Sequence, residues 1–300
     1  ELSQRSNTAG FVQLIRHLVI ALVTGWLVLS VEGSVWQPIA LILHGIVLVF
    51  LFSGQHEAIH FTAFRTRMLN WIVAWIIGPM LILPPRWFRC FHLAHHRWTQ
   101  DPDQDPELAR PKPQTVLQLF VWVSGILYWH DRLNATIRHA LGMVDDAFVP
   151  ARSRHTIVWE ARLLWTVYAA LAITATTLNL WQEILILWIW PVLVGQPFLR
   201  LYLLAEHMGC PYVPDMFRNT RTTLTNPLVR FLAWNMPYHV EHHTYPGIPF
   251  HALPKLHQML KPRIHYLSNG YISVHSKILK RLLSLMIIFV KILVLEIQLD

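Results

Sequence analysis

Cysteine is almost absent. Cys90 and Cys210 are the only two among 300 residues. They form no CxxC, so neither a disulfide framework nor a thiolate metal cluster is indicated. Charge is sparse as well: 14% of residues are Asp, Glu, Lys or Arg, 54% are hydrophobic, and mean hydropathy is +0.36. Ordinary soluble domains carry about a quarter charged residues, so that class is excluded. Acidic residues are the scarcer sign, 17 against 25 Lys and Arg, for a net charge of +8. The basic residues are scattered rather than gathered into an arm or a recognition helix, which argues against a nucleic-acid partner.

Long apolar runs take the place of charge. Phe11–Val31, Val35–Phe52, Leu163–Leu180 and Ile184–Leu204 each have the length a bilayer requires, about 17–25 residues. Fourteen tryptophans suit interfacial belts. Phe11–Val31 is too long for the apolar core of a secretory signal and lacks a small-residue cleavage site, so it reads as a retained first span. Paired as two hairpins, the runs leave Glu32–Ser34 and Trp181–Glu183 as turns without Lys or Arg. Arg65, Arg67, Arg86, Arg89, Arg97, Arg110 and Lys112 all fall between the hairpins, which places that segment in the cytosol by the positive-inside rule. Met68–Leu83 and Val116–Tyr128, at about 13–16 residues, are short for spans and are expected at the cytosolic interface.

The expected fold is therefore an all-α integral membrane protein. Two transmembrane helical hairpins, about four spans, carry a cytosolic helical cap. A single membrane-embedded domain is expected over 1–300, with a hydrophobic tail, 282–300, whose placement is left open. The protein is expected to be multi-pass, in the inner (plasma) membrane if bacterial.

Eighteen histidines are many more than packing requires. Eight fall in three groups: His56 and His60 in HEAIH; His92, His95 and His96 in HLAHH; His239, His242 and His243 in HVEHH. Residues three and four apart share one face of a helix, so each group can present its imidazoles together. His207, in EHMG at the cytosolic end of the fourth run, is a ninth candidate. HEAIH alone matches HExxH, the zincin pattern in which Glu57 would be the base. Nine imidazoles exceed what a catalytic zinc uses, three protein ligands and an open position. Two metals with four or five ligands each account for the number, and imidazole by itself suits several metals. A zinc membrane hydrolase and a histidine-lined metal transporter are the readings from other classes.

HEAIH, HLAHH, EHMG and HVEHH, in that order, resemble the histidine boxes of the membrane fatty acid desaturase/hydroxylase superfamily. The resemblance covers about Ala40 to Leu260. NMPYHVEHHTYPGIPFHALP is similar to the third box of sphingolipid desaturases, and EHMG to the EHYG of alkane hydroxylases. HHRWTQDPDQDPEL resembles bacterial desaturase-like oxygenases, including those of rhizopine catabolism. One departure is the first box, HxxxH here where many acyl desaturases have HxxxxH.

The resemblance implies two non-haem irons held almost wholly by these nine histidines, with O₂ as co-substrate. The expected activity is fatty-acyl desaturation of a lipid-like substrate. The alternative is hydroxylation by a monooxygenase acting on a hydrophobic or small amine-type molecule. No GxGxxG, cysteine cluster or HPGG occurs, so an external electron donor is expected, of ferredoxin, rubredoxin or cytochrome b5 type with its reductase. Asn235 matches the family position that contacts an iron-bound water and, on a continuous helix, would face the same way as His239.

Ligating histidines usually donate their second N–H to a carboxylate, carbonyl or water. Asp101, Asp105, Glu206 and Glu241 are candidates for that role, with Glu57 as a supporting residue. His44 lies about 18 Å along a helix from His56 and reads as a packed histidine, whereas His251 is close enough to the third box to support it. His17, His130, His139, His155, His257, His265 and His275 read as surface or interfacial. Pro191, Gly195 and Pro197 are expected to kink the fourth run.

Overall fold

The computed structural model describes residues 1–299, with side chains through Ile287. Helices dominate because a buried backbone in lipid must satisfy its own N–H and C=O groups. The chain opens with α1 (Asn7–Ser30), capped by Ser6, whose Oγ accepts from Ala9 N at 3.2 Å. A short turn leads to α2 (Gln37–Val49) and α3 (Leu51–His60), which together make one span. After α4 (Arg67–Ile77) the chain bends by 94° into α5 (Pro85–Trp98). The shorter α6 (Val116–Val123) and α7 (Ile126–Ala140) precede the second hairpin. That hairpin consists of α8 (Ala151–Leu178), then α9 (Trp181–Ile184), a π turn over Leu185–Ile189, and α10 (Trp190–His207). Asn7–Ser30, Gln37–His60, Ala151–Leu178 and Trp181–His207 are long and apolar enough to cross a membrane. Exposed Leu22, Trp26, Ile173 and Leu178 provide the apolar outer surface such spans need.

The two hairpins meet along α2 and α10, and glycine is what lets them. A Cβ on Gly45 would lie 2.1 Å from the carbonyl oxygen of Pro191, and one on Gly195 would lie 2.3 Å from that of Gly45. The helices cross in backbone contact there, the small-residue packing typical of membrane helices. Gly195, expected to contribute to a kink, thus serves helix contact. The irregularity of this span is the π turn. His44 Nε2 bonds the Leu187 carbonyl inside it at 3.0 Å, and His44 Nδ1 meets Thr24 Oγ1 at 2.9 Å. His44 is therefore the packed histidine its position suggested.

Beyond α10, the chain forms α11 (Met216–Asn219), α12 (Pro227–Leu232), α13 (His239–Thr244) and α14 (Leu253–Leu260). The only sheet among the described residues pairs β1 (Thr222–Leu224) with β2 (Leu267–Asn269) in parallel. The chain then runs into α15 (Tyr271–Leu299), whose Val274, Ile278 and Leu282 pack with Leu204, Ala205 and Met208. The question left open for 282–300 falls mostly on 288–300, outside the described side chains.

Three histidines read as surface residues are instead buried. His17 Nε2 meets the Val47 carbonyl at 2.9 Å, near the break between α2 and α3. His139 pairs with Asp146 at 2.9 Å, and His257 with Glu241. His17 and His257 find their partners on other elements, which spacing along the sequence does not reveal, and His139 finds its own in the loop directly after α7.

Candidate metal centre

Each histidine group is set by an element that ends beside it. HEAIH forms the last turns of α3, which Phe61 stops in the left-handed region (φ 62°) directly after His60. HLAHH is on α5, whose first turn has no side-chain cap of its own. Glu160 of α8 supplies one, accepting from Arg86 N at 2.9 Å and Trp87 N at 3.2 Å. A carboxylate at a helix N-terminus also meets the positive end of the helix dipole. Gln100, just after α5, has φ 66°, and Trp234 and Asn235, just before α13, have φ 48° and 59°. Such strained non-glycine positions cluster at functional sites, where the surrounding structure holds them.

The three boxes and His207 converge. Donor nitrogens of His56, His60, His92, His96 and His242 lie within 4.8 Å of one another, and so do those of His95, His207 and His243. His239 joins the second group, its Nε2 3.2 Å from His207 Nε2. The groups adjoin: the His96 and His243 rings stack with centroids 4.1 Å apart. His96 Nε2 is 3.0 Å from His92 Nε2 and 3.1 Å from His242 Nε2. All nine residues are buried.

The donor set fits metal. His60 Nε2 and His243 Nε2 are buried with no hydrogen-bond partner, and such orphans are costly unless something ligates them. Burial, then the neighbouring imidazoles, hold His96, His242 and His243 well below the ordinary histidine range. They are neutral, the form a metal takes. For His95 burial acts in the same direction, but Glu107 and Asp105 outweigh it and raise its pKa.

The second group has defined outer partners. Asp105 Oδ1 takes His95 Nδ1 at 2.9 Å, while its other oxygen accepts from Gln100 N at 2.8 Å. Burial alone would raise the Asp105 pKa, yet His95 and these backbone N–H groups lower it. Thr99 Oγ1 is 3.1 Å from His243 Nδ1 and the Asn219 carbonyl 3.2 Å from His207 Nδ1; Glu206 Oε1 stands 3.3 Å from His239 Nδ1 without a hydrogen bond. Gln100 ties the loop to the end of α10, donating to the His207 carbonyl at 2.9 Å. Thr99, Gln100 and Asn219 were missed in the sequence. Thr99 and Gln100 follow HLAHH closely enough to have been noticed; Asn219 carries no signal at all.

Other expected supports are elsewhere. Asp101 caps its own turn, accepting from Asp103 N and Gln104 N at 3.0 and 3.1 Å, and bonds no histidine. Glu57 accepts from Phe250 N at 3.1 Å, and Asn235 Nδ2 donates to the Phe250 carbonyl at 3.2 Å. Together they grip the segment after the third box. Asn235 is not on a continuous helix with His239: residues 233–237 form turns, and α13 begins at His239. Glu241 faces Thr222 Oγ1, at 2.5 Å, and His257. His251 is exposed against Phe250.

If the second group binds metal through His95 Nε2, Asp105 fixes the ring for it. Asp105→Asn is expected to lower metal content and turnover by about 10–100-fold, the usual cost of losing an outer partner. Elemental analysis beside an activity assay checks this.

A cavity of about 260 Å³ opens onto both groups, with His56, His92, His95, His207 and His239 in its wall. Phe52, Trp87, Phe88 and Phe91 line its apolar part.

The sequence profile described as fatty acid desaturase matches residues 34–275. The chain is 25% identical over 239 residues to the sn-1 oleoyl-lipid 12-desaturase of Picosynechococcus sp., covering 73% of this chain and 67% of that one. It is 26% identical over 239 residues to the dihydrorhizobitoxine desaturase of Bradyrhizobium elkanii, covering 73% and 66%. With the zeaxanthin 4-ketolase of Chlamydomonas reinhardtii, identity is 25% over 242 residues, covering 75% and 46%. The matched part is thus about two thirds of each desaturase and under half of the ketolase.

Proposed function

Since this membrane protein belongs to the fatty acid desaturase family, we propose that it is an O₂-dependent di-iron desaturase acting on a chain-bearing, lipid-like substrate. The observation that carries the reading is the pair of adjoining, all-imidazole groups bridged by the His96–His243 stack. Two irons would be held by His56, His60, His92, His96 and His242, and by His95, His207, His239 and His243. When bound, they would supply activation of O₂ for hydrogen removal from an unactivated C–H bond. The protein's own part is orientation and exclusion of water. Asp105, Thr99 and the Asn219 carbonyl hold three rings of the second group, and Phe52, Phe88 and Phe91 offer an apolar wall to the carbon chain.

The overall change balances as CH₂–CH₂ + O₂ + 2 e⁻ + 2 H⁺ giving CH=CH + 2 H₂O. The electrons come from an external donor of ferredoxin, rubredoxin or cytochrome b5 type. The histidine end of the bundle faces the cytosol, where the basic segments between the hairpins lie. The second reading is oxygenation of the same C–H bond, which the matching ketolase supports. It balances as C–H + O₂ + 2 e⁻ + 2 H⁺ giving C–OH + H₂O.

Purified enzyme is expected to hold about two irons per chain, four to five ligands being available to each. With substrate, O₂ and a reduced donor, product mass should fall by about two units; a gain of about sixteen establishes oxygenation instead. One zinc and no iron, or turnover without any reductant, would overturn both readings.

A further inference from the structure

The cavity beside the histidines contains two guanidinium groups with no ion pair at contact distance among the described residues. Arg200, on α10, makes no hydrogen bond or ion pair among the described residues, and its Nε is buried without a partner. Its Cζ lies over the rings of Tyr128, at 4.7 Å, and Trp122, at 5.5 Å. Arg132, on α7, likewise has no ion pair among the described residues, and its Cζ lies 4.1 Å from the Trp87 ring. Both line the cavity that reaches the metal centre. Glu107 and Glu206 share that cavity and lie near enough to act on Arg200 through space, but neither is within ion-pair distance of it; their carboxylates stand 3.7 and 3.3 Å from His95 and His239. Arg110, by contrast, is already paired with Asp131 at 2.7 Å.

A guanidinium carries five donors in a fixed fork that matches carboxylate and phosphate. Aromatic faces compensate its charge only in part. An arginine inside a membrane-spanning segment is costly and marks a functional site by default. Arg200 lies in such a segment and Arg132 on α7; without an ion pair and facing one cavity, the two ask for an anion.

We infer that Arg200 and Arg132 hold the anionic head, a carboxylate or a phosphate, of the substrate. The inference rests on the oxidase reading only for what happens at the histidines. Arg200 and His207 are seven residues apart on one face of α10, about 10 Å along its axis. The C–H bond presented to the metal centre therefore lies on the order of that distance from the anion, several carbons along the chain. The volume, about 260 Å³, falls just under the usual range for ligand cavities, roughly 300–1,000 Å³. A small acid fits whole, whereas a phospholipid would enter only in part.

Titration of the iron-loaded enzyme with octanoate, octyl phosphate and methyl octanoate tests this. Both anions are expected to bind at least about tenfold more tightly than the neutral ester, the discrimination one charged contact provides. Arg200→Gln and Arg132→Gln should each remove that preference with iron content unchanged, and Arg200→Lys should restore part of it. If Arg200→Gln does not fold, Arg132→Gln is read alone. Repeating the titration in nanodiscs distinguishes the source: phosphatidylglycerol that displaces octanoate means a lipid headgroup, and no displacement means a free acid. Equal binding of acid and ester, or an anion preference that survives both substitutions, overturns the inference. Protein that holds one zinc and no iron yet still discriminates would sink the oxidase reading and leave the anion site standing.

Discussion

His96→Ala is expected to abolish turnover and to reduce iron per chain while leaving membrane insertion intact. His96 is the residue that touches both groups: its Nε2 is about 3 Å from those of His92 and His242, and its ring stacks on His243. Alanine removes one donor from the five-histidine group and the wall it shares with the other. Losing a residue that merely orients a ligand costs about 10–100-fold, so losing a ligand should exceed that. The changed contacts touch the spans only at the end of the second, where His60 faces His96, and detergent-extracted protein should behave as wild type by size and helicity. His44→Ala is the matched control, equally a buried histidine, with partners Thr24 and the Leu187 carbonyl. It should keep its iron. Full turnover in His96→Ala would dismiss the assignment of the centre.

Gly45→Ala should have a comparable effect by a different route. The new methyl would sit 2.1 Å from a backbone oxygen and 3.0 Å from the Gly195 nitrogen, which no rotamer change can relieve. Overpacking with side-chain relief costs about 1–3 kcal/mol, and here a whole helix must move. α3 continues from α2 and carries His56 and His60, while α10 ends in His207, so spreading the crossing pulls the centre apart. The expected result is a large fall in monodisperse, iron-containing protein. Gly247→Ala, whose Cβ meets nothing within 4 Å, should be tolerated. Wild-type iron content in Gly45→Ala would show that the crossing does not position the site.

The four spans were legible because length and hydropathy are local properties, although their ends were not. The second span runs on to His60, so that HEAIH forms its last turns, beyond Phe52 where the apolar run was ended. The stretch Met68–Leu83, short for a span by itself, bends by 94° into α5, which brings HLAHH to HEAIH. The outer partners divide the same way. Asp105 was visible because it follows His95 by one short loop. Glu160, which caps α5 from a helix more than sixty positions later, and Asn219, which offers only a carbonyl, were not. Asn235 was related to His239 on the condition of a continuous helix, and two left-handed residues stand there instead.

From sequence alone came the class of molecule, the grouping of imidazoles and the resemblance that those groups carry. All of these depend on residues within a few turns of one another, where helical geometry relates number to direction. Only the tertiary structure decided that nine histidines form a group of five beside a group of four, and that two arginines face the same cavity unpaired. Those facts arise between elements far apart in the chain, brought together by close backbone contact at Gly45 and Gly195, and no local periodicity encodes them.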